Sequence, residues 1–358
     1  MKDIVRAALA VLIASALLIW ANSELGKSAG NAGADTITVY NWGEYIDPDL
    51  LKQFTEETGI RVVYETFDSN EAMMTKIQQG GTSYDIAVPS EYMIEKMREN
   101  DLLIPLDHSK LPNMKHLDPY FLDLAFDPGN EYSIPFFWGT LGIVFNPELL
   151  DGDYDFNSWE DLWDPALNQK VILVDSAREV IGMGLNVLGY SLNSTSVREL
   201  DEASAKLSGL APNVKAIIGD EITQMMQQNE ATVALTWSGQ ALDMMSENES
   251  LDYAVPEEGS NLWFDNMVIP KTAANIDGAH QFINFMLDPE VAAQNADYVG
   301  YSTPNADALD LMDPEIVNDE RFYPDEEARE HLEVYRNLGP EMLGDYNERF
   351  LKFKMEMN

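Results

Sequence analysis

The sequence predicts an α/β protein of open, mostly parallel sheets with helices on both faces and a ligand crevice at the strand ends. Three observations predict it. Strand-like and helix-like segments alternate from Asp35 to beyond Leu287, the pattern that crossover connections produce. The 358 residues are 45% hydrophobic and 23% charged, enough apolar matter for large cores and a length that suits two domains. Four tryptophans lie by predicted strand ends, in Asn41-Trp42-Gly43-Glu44-Tyr45, Phe137-Trp138-Gly139, Thr236-Trp237-Ser238-Gly239 and Leu262-Trp263-Phe264-Asp265.

Thr36 to Tyr40 alternates polar and apolar residues, as a half-buried strand does. Asp47-Pro48 supplies an N-cap and a proline for the first helical position, Leu50, Leu51 and Phe54 form the apolar stripe, and Gly59 ends the helix. Ile60 to Phe67 reads as a strand, Ser69 to Gln79 as a helix closed by Gly80-Gly81, Tyr84 to Val88 as a strand, and Tyr92 to Arg98 as a helix. Further strands are expected at 143–145, 171–174, 216–218, 232–236 and 267–270, with a helix starting at Ala279. Ser158-x-x-Asp161 has the form of a capping box. Asp313 to Glu330 is acidic and reads as solvated surface, and the paired methionines 73–74, 225–226 and 244–245 read as core filler. In open sheets of this kind ligands bind beyond the carboxyl ends of the strands. Trp42, Ser90 and Trp237 lie just past such ends, whereas Asp265 enters a strand.

The formal net charge is -40. Such a chain lacks the basic face that phosphate backbones require, which excludes nucleic acid as a partner. Most of the acidity must be solvated surface, since a small cation needs only a few carboxylates. Cysteine is absent, so disulfides, thiolate metal sites and cysteine nucleophiles are excluded. His108, His116, His280 and His331 show no metal spacing and read as surface or capping residues. No dinucleotide fingerprint, phosphate loop or Gly-x-Ser-x-Gly occurs. Lys2 and Arg6 precede an uncharged run, Ala7 to Ser23, the layout of an export signal. No small-x-small cleavage site follows, which favours an uncleaved anchor, with residues 24–35 as a flexible tether.

A tryptophan face attracts a cation, and a nearby carboxylate fixes its position. Gathered in one cleft, the aromatic–acidic segments would suit a slender, apolar, multiply positive molecule. Glu44, Glu179 and Asp265 are the candidate charge partners. Arg178 beside Glu179 is expected to point away from a cation and to hold the other lobe or a structural acid. A secreted hydrolase using Glu179 and Asp265 as an acid/base pair is the alternative from another class. A structural or adhesive protein with its tryptophans in the core is a third.

Several runs in order resemble the spermidine/putrescine-binding proteins of bacterial ABC importers. They are Tyr40-Asn41-Trp42-Gly43-Glu44-Tyr45-Ile46, residues 53–60, Thr66-Phe67-Asp68-Ser69-Asn70-Glu71, residues 84–90, Ala177-Arg178-Glu179-Val180, residues 262–266 and Gly300-Tyr301-Ser302-Thr303-Pro304-Asn305. The resemblance covers nearly everything from Thr36 onward. It implies a two-lobed fold of the periplasmic-binding-protein type II class, each lobe a mixed, mostly parallel sheet flanked by helices. The implied lobes are 36–141 with 266–309, and 142–265 with 310–358, after a signal or anchor and tether at 1–35. It implies a polyamine in the cleft, with Trp42, Tyr45, Ser90, Tyr92, Glu179, Trp237, Trp263, Asp265 and Tyr301 as binding residues, to which the charge reading above adds Glu44. Ser176 stands where some spermidine binders have a second acid, and Tyr335 where a glutamine can contact the ligand. No cofactor or metal is implied. A monomer is expected that delivers its ligand to a membrane permease of an ABC importer and touches the membrane only through the N-terminal segment. Another small organic cation is the alternative ligand on the same scaffold.

Overall fold

The computed structural model describes residues 35–219 and 221–357; the expected signal and nearly all of the tether lie outside them. The chain opens with β1 (Thr36–Asn41), α1 (Pro48–Thr58), β2 (Arg61–Thr66), α2 (Asn70–Gln79), β3 (Ile86–Ala87) and α3 (Glu91–Glu99). Local chemistry sets these bounds. The Asp47 side chain accepts from the Asp49 N–H ahead of Pro48, and Gly59, at φ 75°, closes α1 in a left-handed turn. Ser69 caps α2 by accepting from the Ala72 N–H. The long strand β4 (Ser133–Phe145) follows, buried throughout. Next come β5 (Val171–Val174), α4 (Ala177–Asn186), α5 (Val197–Ser208), β6 (Val214–Ile218), α6 (Glu221–Gln227), β7 (Val233–Trp237), α7 (Ser238–Glu247), β8 (Asp252–Ala254) and β9 (Ser260–Val268). The chain ends through α8 (Ile276–Met286), α9 (Pro289–Val299), β10 (Leu332–Glu333) and α10 (Gly339–Glu356).

The strands run in the order β2-β1-β3-β9-β4-β7-β5-β6. Pairings of β1 with β2 and β3, and of β5 with β6 and β7, are parallel, as the crossover helices require. The expectation of mostly parallel sheets misses the centre, where β4 pairs antiparallel with β9 along its first half and with β7 and β8 along its second. Strand β4 therefore belongs to two half-sheets and carries the chain from one lobe into the other. Of β4 and β9 only residues 143–145 and 267–268 fall within the segments expected from the sequence. Pro135, Gly139 and Gly142 break the β signal of a run that is apolar on both faces.

The first lobe has a core on each face of its half-sheet, one around Ile37, Leu50, Phe54 and Phe282, the other around Met73, Tyr84, Met93 and Phe264. The second lobe has one core, around Ile143, Ile172, Val180, Leu207, Leu235 and Phe353. The paired methionines pack into these cores or against them, as expected. Only Ile86–Ala87 of the expected strand 84–88 forms one. Buried Asp85 instead accepts from the N–H groups of Thr38, Ala274 and Asn275 at 2.7, 2.8 and 2.7 Å and ties β1 to the turn before α8. His280 departs from its expected surface role, being 1% exposed and accepting from the Asp107 N–H at 3.0 Å. The acidic stretch 313–330 is anchored by Phe322, which stacks on Tyr253 at 5.7 Å. Ser158 and Asp161 form the expected capping box.

Candidate ligand site

Four strands deliver their carboxyl ends to the space between the lobes. Trp42 follows β1, Ser90 follows β3, Ser176 follows β5, and Trp237 ends β7. The last three are also the N-caps of α3, α4 and α7, and none of them makes a side-chain cap bond. Both serines are diverted to acids. Ser90 donates to Asp265 Oδ1 at 2.7 Å, and Ser176 donates to Glu179 Oε2.

Asp265 is the centre of the first cluster. Its Oδ2 accepts from the Tyr45 hydroxyl at 2.5 Å, and Ser90 is held in turn by Asn70, whose Nδ2 donates to Ser90 Oγ at 3.0 Å and to the Tyr92 hydroxyl at 3.1 Å. Around it the rings of Tyr45, Phe137, Tyr301 and Trp263 meet edge to face, with centroids 5.3–6.0 Å apart. Burial lifts the Asp265 carboxyl to about 6, against the two hydroxyl donors, which favour the charged form. Burial also raises Tyr45 well above the usual phenol range, and the Asp265 charge adds to it, so Tyr45 remains a donor.

Glu179 is the centre of the second cluster. It is 8% exposed, and burial raises its carboxyl, opposed by the Ser176 hydroxyl. Tyr335 lies beside it, with a buried hydroxyl that has no hydrogen-bond partner among the described residues. Arg178, expected to point away from a cation and to hold the other lobe or a structural acid, forms no ion pair among the described residues, and its charge lowers the Glu179 carboxyl. Its guanidinium donates to the Arg336 carbonyl at 3.2 Å and to Asn193 Oδ1 at 3.0 Å, and lies over the Tyr335 ring at 4.2 Å. The helix α4 bearing Glu179 packs against β9, which bears Asp265.

The structure thus brings together Tyr45, Ser90, Tyr92, Trp263, Asp265 and Tyr301, and sets Ser176, Glu179 and Tyr335 as a second group. Trp42 packs on Phe67 at 4.5 Å, and Trp237 is half-buried against the second-lobe core. The indole N–H groups of Trp42 and Trp263 are buried without partners among the described residues. Glu44 stands apart, exposed in a turn at φ 52°. Trp138 is a packing residue, 2% exposed, with Nε1 on the Thr303 carbonyl at 3.1 Å. Sequence reasoning missed Asn70 and Glu91. Glu91 stands between two named residues, but an acid in the first turn of a helix reads as a dipole partner.

Two bare backbone positions seat the rings. A Cβ on Gly139 would lie 2.6 Å from Trp263 Cζ2 and 2.5 Å from Ser238 Oγ, and a Cβ on Gly239 would fall inside the Tyr301 ring. Tyr301 packs against the first-lobe core, and Gly239 opens α7 of the second lobe. The lobes are therefore closed on each other through this ring.

A two-lobed α/β fold with a cleft of buried acids and rings at its strand ends is the architecture of a solute-binding protein. Residues 49–324 match the family described as bacterial extracellular solute-binding protein, and the chain belongs to it. It is 41% identical over 332 residues to the spermidine/putrescine-binding periplasmic protein of Escherichia coli, covering 92% of this chain and 95% of that protein. Among solved structures, the spermidine/putrescine ABC transporter substrate-binding protein of Streptococcus pneumoniae, in complex with calcium and HEPES, is 56% identical. Its TM-score is 0.86, and the match covers 90% of this chain and 100% of that one. A Listeria monocytogenes protein named for a spermidine/putrescine ABC transporter is 63% identical, with a TM-score of 0.82 over 90% of this chain and 99% of that one.

Proposed function

We propose that this chain captures a polyamine, spermidine or putrescine, outside the cytoplasm and delivers it to the permease of an ABC importer. One observation carries the reading. Asp265 and Glu179 are buried acids whose side-chain hydrogen-bond partners are neutral hydroxyls, flanked by aromatic rings. An ionised carboxylate buried without a cation costs several kcal/mol, so a cation placed there removes a penalty as well as forming bonds. Rings along the intervening path suit a methylene chain and add on the order of 1–2 kcal/mol per desolvated cation–ring contact. The names of the relatives support the same ligand class. No bond of the ligand is made or broken in this reading.

The lobes act as rigid units, divided as expected except that residues 262–265 of β9 pair and pack with the first lobe and go with it, and ligand contacts to both lobes favour closure. The protein acts as a monomer, held at the membrane by its N-terminal segment. Among the described residues no helix is long and apolar enough to cross a membrane. Parallel calorimetric titration with spermidine, putrescine, choline and arginine tests the reading. Polyamines should bind, and Asp265→Ala should weaken spermidine at least about tenfold, since a charge-assisted bond is worth about 1.5–3 kcal/mol. Heat from choline or arginine alone would move the protein to another cation class, and an unchanged Asp265→Ala affinity would remove that residue from the site.

A further inference from the structure

The first lobe holds one more buried acid, Glu91, 1% exposed and one residue past Ser90. Its Oε2 accepts from the Phe264 N–H at 3.0 Å, while Ser90 grips Asp265 beside it. Glu91 and Asp265 therefore meet on neighbouring residues of β9. Glu91 also begins a stripe on α3, because Glu91, Glu95 and Glu99 recur every four residues and share a face. The 335–337 segment lies along that stripe. The Asn337 N–H donates to Glu95 Oε2 at 2.9 Å, and its side-chain amide donates to Glu99 Oε2 at 3.0 Å. Tyr335 is two residues earlier, which sets it by the Glu91 end.

The Tyr335 hydroxyl is the second, independent sign of a ligand. Tyr335 is 4% exposed, and its hydroxyl has no partner among the described residues. That oxygen lies 3.5 Å from where a Cβ on Gly182 would stand, one helical turn beyond Glu179. The charges of Glu179 and Glu91 both act on this hydroxyl and raise it further, which places it near the two acids. Among the described residues neither acid forms an ion pair with Arg178, whose guanidinium is engaged by the Arg336 carbonyl and Asn193 and acts on both acids only by its charge. Burial lifts the Glu91 carboxyl to about 8, against the pull of the Phe264 and its own N–H, with Asp265 raising it further and Arg178 lowering it. Tyr92, Tyr335 and Glu179 are the other titratable groups facing this space.

We propose that Glu91 is a third carboxyl of the cleft, between Asp265 and Glu179, and that it makes the site select a triamine over a diamine. The proposal rests on the polyamine reading above. Three ammonium groups take one carboxyl each. A diamine leaves one carboxyl without a cation; that group keeps its proton and forms no charge-assisted bond.

Glu91→Gln tests this, because glutamine keeps an oxygen for the Phe264 N–H and alters only the charge. Wild-type protein should bind spermidine at least about tenfold more tightly than putrescine, and the variant should lose at least about tenfold for spermidine but under about threefold for putrescine. A preserved ratio, or an equal loss for both ligands, overturns the proposal and leaves Glu91 as a cap on β9. A second readout needs no variant. Calorimetry of wild type at pH 7, in two buffers of different ionisation heat, should show more protons released by spermidine than by putrescine. Equal release overturns the proposal as well. Wild type that binds neither polyamine defeats the underlying reading instead, a result visible without the variant.

Discussion

Asp265 shows how one buried acid couples pH to stability and binding. Its carboxyl titrates near 3.8 unfolded and about 6 folded. The folded state therefore holds the extra proton between those values. Its stabilising effect is complete below about 4 and is lost as pH rises through about 6. The gap corresponds to on the order of 2–3 kcal/mol. Asp265→Asn, which imitates the neutral acid, should accordingly be more stable than the ligand-free wild type at pH 8, with the gap closing towards pH 4 in urea melts. Parallel pH curves for the two proteins would show that Asp265 does not ionise in that window. Ligand binding runs the other way, because the cation needs the carboxylate. Affinity should fall as pH drops below about 6. None of these shifts was legible in the sequence, because burial is made by residues far apart in the chain: Tyr45 and Ser90 lie 220 and 175 positions from Asp265.

At the scale of elements, the cleft is made from helix N-termini that give up their caps. Ser90 and Ser176 have the right residue type to cap α3 and α4, yet both donate to acids instead. The uncapped N–H groups carry the positive end of each helix, which disfavours a bare cation and favours the acids set there. Other helix ends were legible: Asp47-Pro48, Gly59, Ser69 and the Ser158–Asp161 box marked theirs correctly. The diversion of the serines was not, since capping and acid binding ask for the same residue. Nor was the seat that Gly239 offers to Tyr301. Gly239→Ala should leave the fold intact within about 1 kcal/mol, because the three nearest obstacles to its Cβ belong to Tyr301 of the other lobe. It should hold the lobes apart and weaken polyamine binding at least about tenfold. Small-angle scattering with and without spermidine measures this. A variant that compacts like wild type would show that the ring can find another seat.

Across the whole molecule the net charge of -40 sets the approach of a ligand more than its grip. A polycation should associate rapidly at low salt, with the rate falling roughly tenfold or more between about 20 and 300 mM NaCl. Stopped-flow tryptophan fluorescence measures it, and a salt-independent rate would confine the acidity to solvation. The two-lobed plan itself was legible only through the runs that resemble a known family, because alternating strands and helices do not say where a sheet is divided. The strand that joins the halves, β4, is also the one that was least recognisable. Its partnership with β9 has a consequence in time. A chain that emerges from its N-terminus presents β3 and β4 long before Ser260–Val268 exists to lie between them. Until then β3 and the first half of β4 carry open edges, the condition under which strands pair with the wrong neighbour. Completion of the first lobe must wait for at least roughly three quarters of the polypeptide, so its assembly is a late event that any helper of folding would have to guard.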